Sequence, residues 1–418
     1  MNGTIYETIV VGAGHAGLSA SYYLRHLGLE HIVFERGRIG ESWRSQRWDN
    51  FRMITKNSMN VLPGSIGKLK APDQFGTGIQ FANSLREYVN TFELPVSESS
   101  EVTSIEKSSG SPIFTVKVSH DNEIVRSYDC WQVIVASGMT NTKDVPHFSS
   151  QIAPEITQVH SSGYSNAWAL PAGAVLVVGS GQSGCQITED LIAAGRKVFL
   201  STSLGRHIPR SYRGKDILEW MQLCKLMDAA KSEIVESAPW MLRDPVVATE
   251  ENSESDLTIH SLANQGAIIL GRLSSASGTT LSFDNSAPET IHAADEYSAS
   301  IKQVIDDYIK SNQLQAPEYE IPLNIIEPAH VSPLRDLSLV DQGIGSIVWA
   351  TGLTGKLDYI HLPVFTDDGT IIQQQGVTPV EGLYVIGLPW QRSQKSNFIF
   401  GIKDDAGFVT SKIYSALR

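Results

Sequence analysis

Three glycines near the N-terminus have a spacing that could bind a phosphate group. They are Gly12, Gly14 and Gly17, in the order Gly-x-Gly-x-x-Gly. Such a run permits a tight turn and lets a pyrophosphate approach the backbone N–H groups at the start of a helix. Glu35 follows 18 residues after Gly17, where a carboxylate accepts the two ribose hydroxyls and repels a 2′-phosphate. The motif therefore predicts a site for FAD or NAD rather than for NADP.

A second glycine group has the same spacing but a different chemistry around it. Its glycines are Gly179, Gly181 and Gly184. No acid follows at the position that Glu35 takes in the first group. A basic run follows instead, and its arginines are Arg206, Arg210 and Arg213. A 2′-phosphate would account for this run in a chain of net charge −12, since arginine binds phosphate oxygens in pairs. The run could also be a solvated charged loop, but its position favours NADPH as the second ligand.

The predicted strands and helices place both glycine groups where a nucleotide-binding fold needs them. Residues 5–11 and 174–178 are apolar segments that lead directly into the two groups. A helix with an apolar face follows each group, and a second strand comes next, at 31–34 and at 198–200. This order predicts an α/β fold with two Rossmann-like dinucleotide-binding domains. A structural glycine turn in a nucleotide-free α/β fold is the alternative.

Three later segments also end in small residues. Residues 131–135 lead into Ala-Ser-Gly at 136–138, and residues 347–349 lead into Ala-Thr-Gly at 350–352. We expect these two to be strands from which the chain crosses between the nucleotide regions. A third strand ends at Gly387, and the segment 397–402 then precedes an amphipathic final helix. The N-terminus of that helix is expected to face a bound ligand.

Length and composition exclude several other classes of protein. A chain of 418 residues that is 41% hydrophobic and 19% charged is expected to hold two or three globular domains. Its acidic balance disfavours a nucleic-acid partner. The N-terminus lacks a signal peptide and no apolar run could span a membrane, so a cytoplasmic protein is expected. The three cysteines show neither metal-ligand nor CxxC spacing, which argues against a metal site and against a disulfide reductase.

The sequence resembles the flavin-containing monooxygenase family, and more closely a bacterial branch of its flavoprotein monooxygenases, over nearly its whole length. The matching segments are 12–17 with Glu35, 41–44, 48–52, 160–164, 179–184, 209–216 and 387–393. The resemblance implies that NADPH reduces a bound FAD and that O₂ adds to the reduced flavin as a C4a-peroxyflavin. Oxygen then passes to a small molecule at N, at S or at a carbonyl.

Site residues follow from the motifs and the resemblance together. The resemblance places Asn57 near the reactive edge of the flavin as a catalytic residue, although an Asn-Ser pair is also typical of a turn. Trp43 could instead pack in the core, and His160 could touch the nicotinamide side or fix the linker. The expected cofactor-binding residues are Gly12, Gly14, Ala16, Gly17, Glu35, Arg36, Trp43, Arg44, Trp48, Gly138, His160, Gly179, Gly181, Gln182, Ser183, Gly184, Arg206, Arg210, Arg213, Thr351, Gly352, Gly387, Ile399 and Phe400.

The predicted organisation is one split domain with another inserted into it. The FAD domain is expected at 1–165 and 325–418, and the NADP domain at 166–324. A helical insertion is expected at about 216–250, and its Met and Trp side chains could line a substrate pocket, cover a homodimer face or form core. Two other functions stay open, a flavin dehydrogenase or NADPH oxidase without oxygen transfer and a nucleotide-binding redox sensor.

Overall fold

Two sheets, each containing a strand that leads into a glycine group, organise the chain. The computed structural model describes residues 5–65, 71–121, 124–233, 242–249, 256–318 and 330–418. Its strands in chain order are β1 Ile5–Val11, β2 His31–Phe34, β3 Val96–Ser97, β4 Ser100–Lys107, β5 Phe114–His120, β6 Ile124–Val135, β7 Thr142–Lys143, β8 Thr157–His160, β9 Ala174–Val178, β10 Val198–Ser201, β11 Ser211–Tyr212, β12 Lys215–Asp216, β13 Ile268–Leu270, β14 Leu273–Ser277, β15 Thr280–Phe283, β16 Asp336–Ser338, β17 Ile344–Trp349, β18 Leu353–Thr354 and β19 Leu383–Val385.

Helices pack against these sheets, and each glycine group lies at the N-terminus of one of them. The α-helices are α1 His15–His26, α2 Glu41–Ser45, α3 Gly78–Thr91, α4 Gln182–Ala193, α5 Ile217–Leu223, α6 Ile259–Asn264, α7 Ala287–Ser311 and α8 Ile402–Leu417. Short 3-10 turns lie at Asn57–Met59, His147–Gln151, Ser161–Gly163, Ala167–Ala169, Leu226–Asp228, Lys231–Glu233 and Gln394–Asn397. None of the helices within the described ranges has the length and apolar character needed to cross a membrane.

The first sheet has the strand order β3-β2-β1-β6-β5-β4, and β19 pairs with β6. Strands β1, β2, β3, β6 and β19 pair in parallel, whereas β4 and β5 add an antiparallel meander to β6. The apolar strand β1 lies between β2 and β6 and is buried at Ile9, Val10 and Val11. Helices α1, α3 and α8 pack over one face of this sheet around Leu24, Leu85 and Ile413.

The second sheet has the order β13-β10-β9-β17-β8, and every pairing in it is parallel. Strand β9 is buried at all five residues and leads into the second glycine group. Helices α4 and α6 pack on one face, around Ile187 and Leu262. The parallel second sheet and the parallel core of the first sheet confirm the α/β fold class with two dinucleotide-binding folds.

Two segments of the chain cross between the sheets, and these two segments pair with each other. After β6 the chain passes through β7 into β8, and after β17 it returns through β18 to β19. Strands β7 and β18 pair antiparallel, with Leu353 opposite Lys143. Strands β8 and β17 both pair within the second sheet. The predicted boundaries at residues 165 and 325 instead assign both strands to the first domain. Sequence alone could not show this, because buried parallel strands carry no mark of the sheet that they join.

The region that the sequence predicts as a helical insertion is only partly helical. Helix α5 and two 3-10 turns occupy part of residues 217–233, and residues 244–248 are irregular apart from a β-bridge between Val246 and His207. Residues 234–241 and residue 250 lie outside the described range. The longest helix, α7, was missed by the sequence prediction, although its buried residues Ile291, Ala294, Ile301, Ile305 and Ile309 recur at helical spacing. Pro288 at the first turn is a further signal for its start.

Candidate active site

The first glycine loop has the geometry of a phosphate-binding turn. Gly12 has a positive φ of 102°, and a Cβ at this position would lie 2.6 Å from the carbonyl oxygen of Ala136. A Cβ at Gly17 would overlap the carbonyl oxygen of Gly12, so helix α1 can approach β1 only without a side chain there. Gly14 has no atom within 4 Å of a Cβ position. The space above Gly14 is thus open to a ligand at the N-terminus of α1.

Glu35 closes this loop from the end of β2. Its two carboxylate oxygens accept hydrogen bonds from the backbone N–H of Ala13 at 2.7 Å and from that of Gly37 at 2.9 Å. Burial raises the pKa of Glu35, while these two N–H groups favour its ionised form. A carboxylate has about four acceptor positions, so two remain for hydroxyl groups of a ligand.

A cavity of about 520 Å³ opens in front of the first glycine loop. Its volume lies within the ~300–1,000 Å³ range of ligand sites. Of the expected cofactor-binding residues, those lining it are Gly12, Gly14, Ala16, Glu35, Arg36, Trp43, Gly138 and Gly387. Lining residues that the sequence did not indicate include Arg47, Asn141, Lys356 and Tyr359. These come from distant parts of the chain, and no local motif marks them.

Three residues expected around the flavin, Trp43, Arg44 and Trp48, lie in three different environments. Trp43 lines the cavity, whereas Arg44 and Trp48 do not. The Arg44 guanidinium donates a hydrogen bond of 3.0 Å to the side-chain oxygen of Asn83. Trp48 is 5% exposed and packs in the core of the second sheet. The flavin contacts of Arg44 and Trp48 stay predictions that the observed contacts do not support, and Trp43 is one aromatic side chain of the cavity wall.

Arg47 lines the cavity and is held by several neighbours. Its guanidinium lies 4.7 Å from the ring centroid of Trp43 and 5.2 Å from that of Phe51. It also donates a hydrogen bond of 2.8 Å to the carbonyl oxygen of Gln46. Burial lowers the pKa of Arg47 to about 10. Arg47 remains a cation at neutral pH, facing the cavity beside an aromatic ring.

Asn57 lies in a 3-10 turn and away from the residues lining the cavity. Its side-chain amide donates a hydrogen bond of 3.0 Å to the carbonyl oxygen of Ala71. Its backbone N–H donates to the carbonyl oxygen of Gln74 at 2.9 Å. These contacts match the turn-forming alternative for Asn57, so its catalytic role stays a prediction that the observed contacts do not support.

The second glycine loop repeats the geometry of the first. A Cβ at Gly179 would lie 2.5 Å from the carbonyl oxygen of Ala350, and a Cβ at Gly184 would overlap the carbonyl oxygen of Gly179. Gly181 has no atom within 4 Å of a Cβ position. The predicted crossing segments at 136–138 and 350–352 are thus the backbones against which the two loops pack. The same open position exists in both loops for a phosphate.

The two residues after Gly181 have different environments. Ser183 is exposed in the first turn of α4. Gln182 is bound to the segment 244–248, since its side-chain amide donates to the carbonyl oxygen of Val247 at 2.9 Å and accepts from the Val247 N–H at 3.0 Å. The side chain of Gln182 therefore positions this segment over the N-terminus of α4, and this pairing could not be seen in the sequence.

Of the three arginines in the basic run, Arg206 alone lies beside the second glycine loop. Arg206 and Ser180 of that loop line the same small cavity. The Arg206 guanidinium lies 4.4 Å from the ring centroid of Tyr297 and donates to the carbonyl oxygen of Arg243. Burial lowers its pKa. Its Nε atom is buried and has no hydrogen-bond partner among the described residues.

The other two arginines are bound to carboxylates. Arg210 forms a buried ion pair of 2.5 Å with Asp216, whose side chain is 0% exposed. Arg210 also donates to the carbonyl oxygen of Ala248 at 2.9 Å. Arg213 pairs with Asp306 at 3.2 Å. The prediction that the basic run as a whole binds the phosphate therefore needs correction, because two of its three arginines are held in ion pairs and Arg206 is the arginine next to the loop.

His160 fixes the linker between the two sheets. The backbone N–H of Ser162 donates to its Nδ1 at 3.1 Å, so the proton lies on Nε2, which donates to the carbonyl oxygen of Gly352 at 2.8 Å. Burial lowers the pKa of His160 and favours this neutral form. Thr351 beside it donates to the carbonyl oxygen of Asp144. His160, Thr351 and Gly352 thus hold the two crossings together, which matches the linker alternative for His160.

The C-terminal segment contributes to the cavity through one residue of those predicted. Gly387 lines it with a φ of 82°. Ile399 is 7% exposed and packs in the core against the first sheet. Phe400 packs against the helices of the inserted domain. Helix α8 follows directly, with Ala406, Val409 and Ile413 buried as the sequence predicts.

The three cysteines are all free and lie in different elements. Cys130 is on β6, Cys185 is on α4 and Cys224 follows α5. Burial raises the pKa of the Cys130 thiol, and it raises that of Cys185 to about 12. Thiols of this kind are poor nucleophiles at neutral pH.

Comparisons with known proteins agree with this architecture. A sequence profile described as pyridine nucleotide-disulphide oxidoreductase matches residues 9–231. A protein of Geobacillus kaustophilus named "Uncharacterized oxidoreductase CzcO-like" is 30% identical over 414 residues, which cover 98% of each chain. A protein of Arabidopsis thaliana named "Probable indole-3-pyruvate monooxygenase YUCCA9" is 26% identical over 228 residues, or 51% of this chain and 53% of the relative.

A solved structure has the same fold. A flavin-containing monooxygenase from Stenotrophomonas maltophilia superimposes with a TM-score of 0.66 at 16% identity, covering 99% of both chains. These findings confirm the resemblance that the sequence motifs indicated. The match of the family profile spans more than half of the chain and includes both glycine loops. The chain therefore belongs to the pyridine nucleotide-disulphide oxidoreductase family and is an oxidoreductase.

Proposed function

We propose that this oxidoreductase is an NADPH-dependent flavoprotein monooxygenase that transfers oxygen from O₂ to a small molecule at N, at S or at a carbonyl. One observation carries the proposal. Two glycine loops have the same backbone geometry, but Glu35 lies beside the first and Arg206 beside the second. A carboxylate favours a dinucleotide with free ribose hydroxyls, and an arginine favours one with a 2′-phosphate.

The residues at the first loop fit FAD. Gly14 leaves open backbone for a pyrophosphate, and Glu35 has acceptor positions for ribose hydroxyls. Trp43 supplies a flat apolar wall and Arg47 a cation. When bound, FAD would supply the capacity to take a hydride from NADPH and to activate O₂, and the protein positions it and excludes water.

The residues at the second loop fit NADPH. The open space at Gly181 and the N-terminus of α4 suit a pyrophosphate. Arg206 lines the same small cavity as Ser180 of this loop, so a guanidinium lies beside it as a donor for an anion. The hydrogen bond from His160 to the carbonyl oxygen of Gly352 joins the two crossings between the sheets, and we infer that it helps to position the two loops.

The names of two relatives support oxygen transfer as the reaction. An indole-3-pyruvate monooxygenase and a "Senecionine N-oxygenase" of Tyria jacobaeae are each 26% identical to about half of this chain. Both names describe oxygenation of a small molecule, one of them at nitrogen. We infer the same class of reaction here, with a substrate that these names do not identify.

Anaerobic and aerobic mixing with NADPH tests the proposal in purified protein reconstituted with FAD. NADPH should bleach the flavin absorbance without air, and an oxygenated product should form once air is admitted with a panel of amines, sulfides and ketones. Bleaching followed by release of hydrogen peroxide alone would identify an oxidase or dehydrogenase. NADPH binding without any bleaching would contradict every enzymatic version and favour a nucleotide sensor.

A further inference from the structure

The loop that follows strand β10 occupies the place in the second sheet that Glu35 occupies in the first. In both sheets the first glycine of the glycine group donates its N–H to the carbonyl oxygen of the last residue of the neighbouring strand, Phe34 at 2.8 Å and Ser201 at 2.9 Å. Residues 202–204 therefore correspond to residues 35–37. A dinucleotide bound at such a fold places the ribose that carries or lacks a 2′-phosphate at this position.

The contact between glycine loop and strand end is also repeated, with a different side chain. The N–H of Ala13 donates to the carboxylate of Glu35, whereas the N–H of Ser180 donates to the hydroxyl of Ser203 at 3.3 Å. Residues 202–204 are Thr-Ser-Leu. This loop thus offers hydroxyl groups where the first offers a carboxylate, and it contains no acid that would repel a phosphate.

The guanidinium of Arg243 lies at this loop. One of its terminal nitrogens donates a hydrogen bond of 3.2 Å to the carbonyl oxygen of Leu204. Arg243 is exposed to solvent and forms no ion pair within the described part of the chain. A guanidinium has five N–H donors in a planar fork, so most of the donors of Arg243 remain available for a ligand at residues 202–204.

The backbone from which Arg243 projects is fixed on both sides. The carbonyl oxygen of Arg243 accepts a hydrogen bond from the guanidinium of Arg206. The carbonyl oxygen of Leu242 accepts from the indole of Trp390 at 2.8 Å, and the N–H of Val246 donates to the carbonyl oxygen of Arg206 at 2.7 Å. A long side chain that starts from a fixed backbone has less freedom to lose when it binds a ligand.

Arg206 and Arg243 differ in how far a ligand could reach them. Arg206 is 4% exposed, and the ring of Tyr297 lies 4.4 Å from its guanidinium. Its charge also interacts with that of Asp244. Arg243 has no such partner and is open to solvent. Arg206 is therefore placed to support the segment, and Arg243 is placed to meet an anion.

We propose that Arg243 binds the 2′-phosphate of the second dinucleotide and that Arg206 is the positioning residue that holds the backbone of Arg243. The inference rests on the proposed function for the identity of that dinucleotide as NADPH. The choice of Arg243 rests on its contact with Leu204, its exposure and its fixed backbone. Arg243 is 39 residues from Leu204 in the chain, so no local motif marks it.

Adenosine 2′,5′-bisphosphate and AMP test the assignment, because the two molecules differ only in the 2′-phosphate. Calorimetric titration of the FAD-loaded protein gives both dissociation constants without turnover. Arg243→Ala should weaken binding of the bisphosphate about tenfold or more and leave that of AMP unchanged. Arg243→Lys should keep part of the preference, because lysine retains the charge but lacks the planar fork. Arg126→Ala makes the same change of charge at an exposed position on β6 of the first sheet and should match the wild type.

The positioning role of Arg206 is tested by combining substitutions. Arg206→Ala should weaken binding of the bisphosphate in the wild-type background and have little further effect in the Arg243→Ala background, because Arg206 acts through Arg243. Thermal unfolding and FAD content show whether each variant is folded. An equal loss of both ligands in Arg243→Ala would overturn the assignment. A loss from Arg206→Ala that is as large in the Arg243→Ala background would overturn the positioning role.

The outcomes for the proposed function are separate. If the wild type prefers the bisphosphate and Arg243→Ala keeps that preference, the assignment of Arg243 fails and NADPH stands as the ligand. If the wild type binds both molecules equally, the NADPH assignment in the proposed function fails. If Arg243→Ala loses the preference but the wild type never incorporates oxygen into a product, the monooxygenase proposal fails and the phosphate site stands.

Discussion

The carboxylate of Glu35 accepts a hydrogen bond of 2.7 Å from the backbone N–H of Ala13, inside the first glycine loop. The same carboxylate accepts from Gly37 and faces the cavity. Glu35 thus shapes the loop and also presents acceptors to a ligand. Two residues that are distant in sequence are joined by the contact that defines the first nucleotide site.

Replacing Glu35 by Ala should weaken FAD binding. The variant loses acceptors for the ribose and the support of Ala13, and a charged hydrogen bond contributes ~1.5–3 kcal/mol, so we expect the dissociation constant to rise by about 10- to 100-fold. Titration of the apoprotein with FAD, followed by flavin fluorescence, measures it. Glu30→Ala, at an exposed carboxylate near the end of α1, is the control. An unchanged dissociation constant in Glu35→Ala would remove Glu35 from the site.

Replacing Arg206 by Ala should change the preference between NADPH and NADH. Arg206 is the arginine beside the second loop, so its loss should raise the KM for NADPH about tenfold or more and leave that for NADH nearly unchanged. Steady-state kinetics with both coenzymes provide the comparison. If both KM values rise together, Arg206 supports the fold and does not select the phosphate.

Replacing Arg210 by Ala should have a different effect. Its partner Asp216 is fully buried and would keep Lys56 at 3.9 Å and the Leu218 N–H, and breaking a buried ion pair costs up to ~3–5 kcal/mol. We expect a large loss in the free energy of unfolding and an unchanged ratio of KM values for NADPH and NADH. Urea unfolding measures the first quantity. A shift in coenzyme preference without loss of stability would instead support a phosphate site that Arg206 and Arg210 share.

Substitutions at Trp43 and at Trp48 should affect different quantities, FAD binding in the first case and the free energy of unfolding in the second. Trp48 lies in the core and Trp43 lines the cavity. Trp48→Ala should lower the free energy of unfolding by ~3–5 kcal/mol. Trp43→Ala should mainly weaken FAD binding and alter the fluorescence of the bound flavin. The opposite assignment of these effects would place the flavin on the other side of residues 43–48.

Asp405 should make stability depend on pH. Burial raises its pKa to about 6, although Ser396 and Arg392 favour the ionised form. An unfolded Asp titrates near ~3.9, so the folded wild type should lose ~1–3 kcal/mol as the pH rises from about 4 to about 6. Asp405→Asn should lack this part of the decline. Chemical unfolding across that range measures it, and parallel curves for the two proteins would contradict the raised pKa.

The local parts of the fold could be predicted from the sequence because their signals are local. The two glycine groups, the strands before them and the helices after them are contiguous, and the first and third glycine of each group have a steric reason to be there. Glu35 was also predictable, because the end of the second strand has a fixed place in this motif. Helix α7 carried a readable period that the prediction missed.

The tertiary parts of the site could not be predicted in the same way. Arg210 forms an ion pair with Asp216 because a turn between β11 and β12 brings the two side chains together. Gln182 forms a hydrogen bond with Val247, which lies 65 residues away in the sequence. Trp43 and Trp48 are five residues apart, yet Trp43 lines the cavity and Trp48 packs in the core. Residue type allows both outcomes, and only the arrangement of the neighbouring elements decides between them.

The central claim is that electrons from NADPH serve to place oxygen in a product. Isotopically labelled O₂ tests it most directly, with NADPH consumption and labelled product counted in the same reaction across the panel of amines, sulfides and ketones. The account predicts one labelled oxygen atom in the product for each NADPH consumed with the correct substrate class. NADPH consumption with all of the labelled oxygen recovered as hydrogen peroxide, for every substrate of the panel, would contradict it.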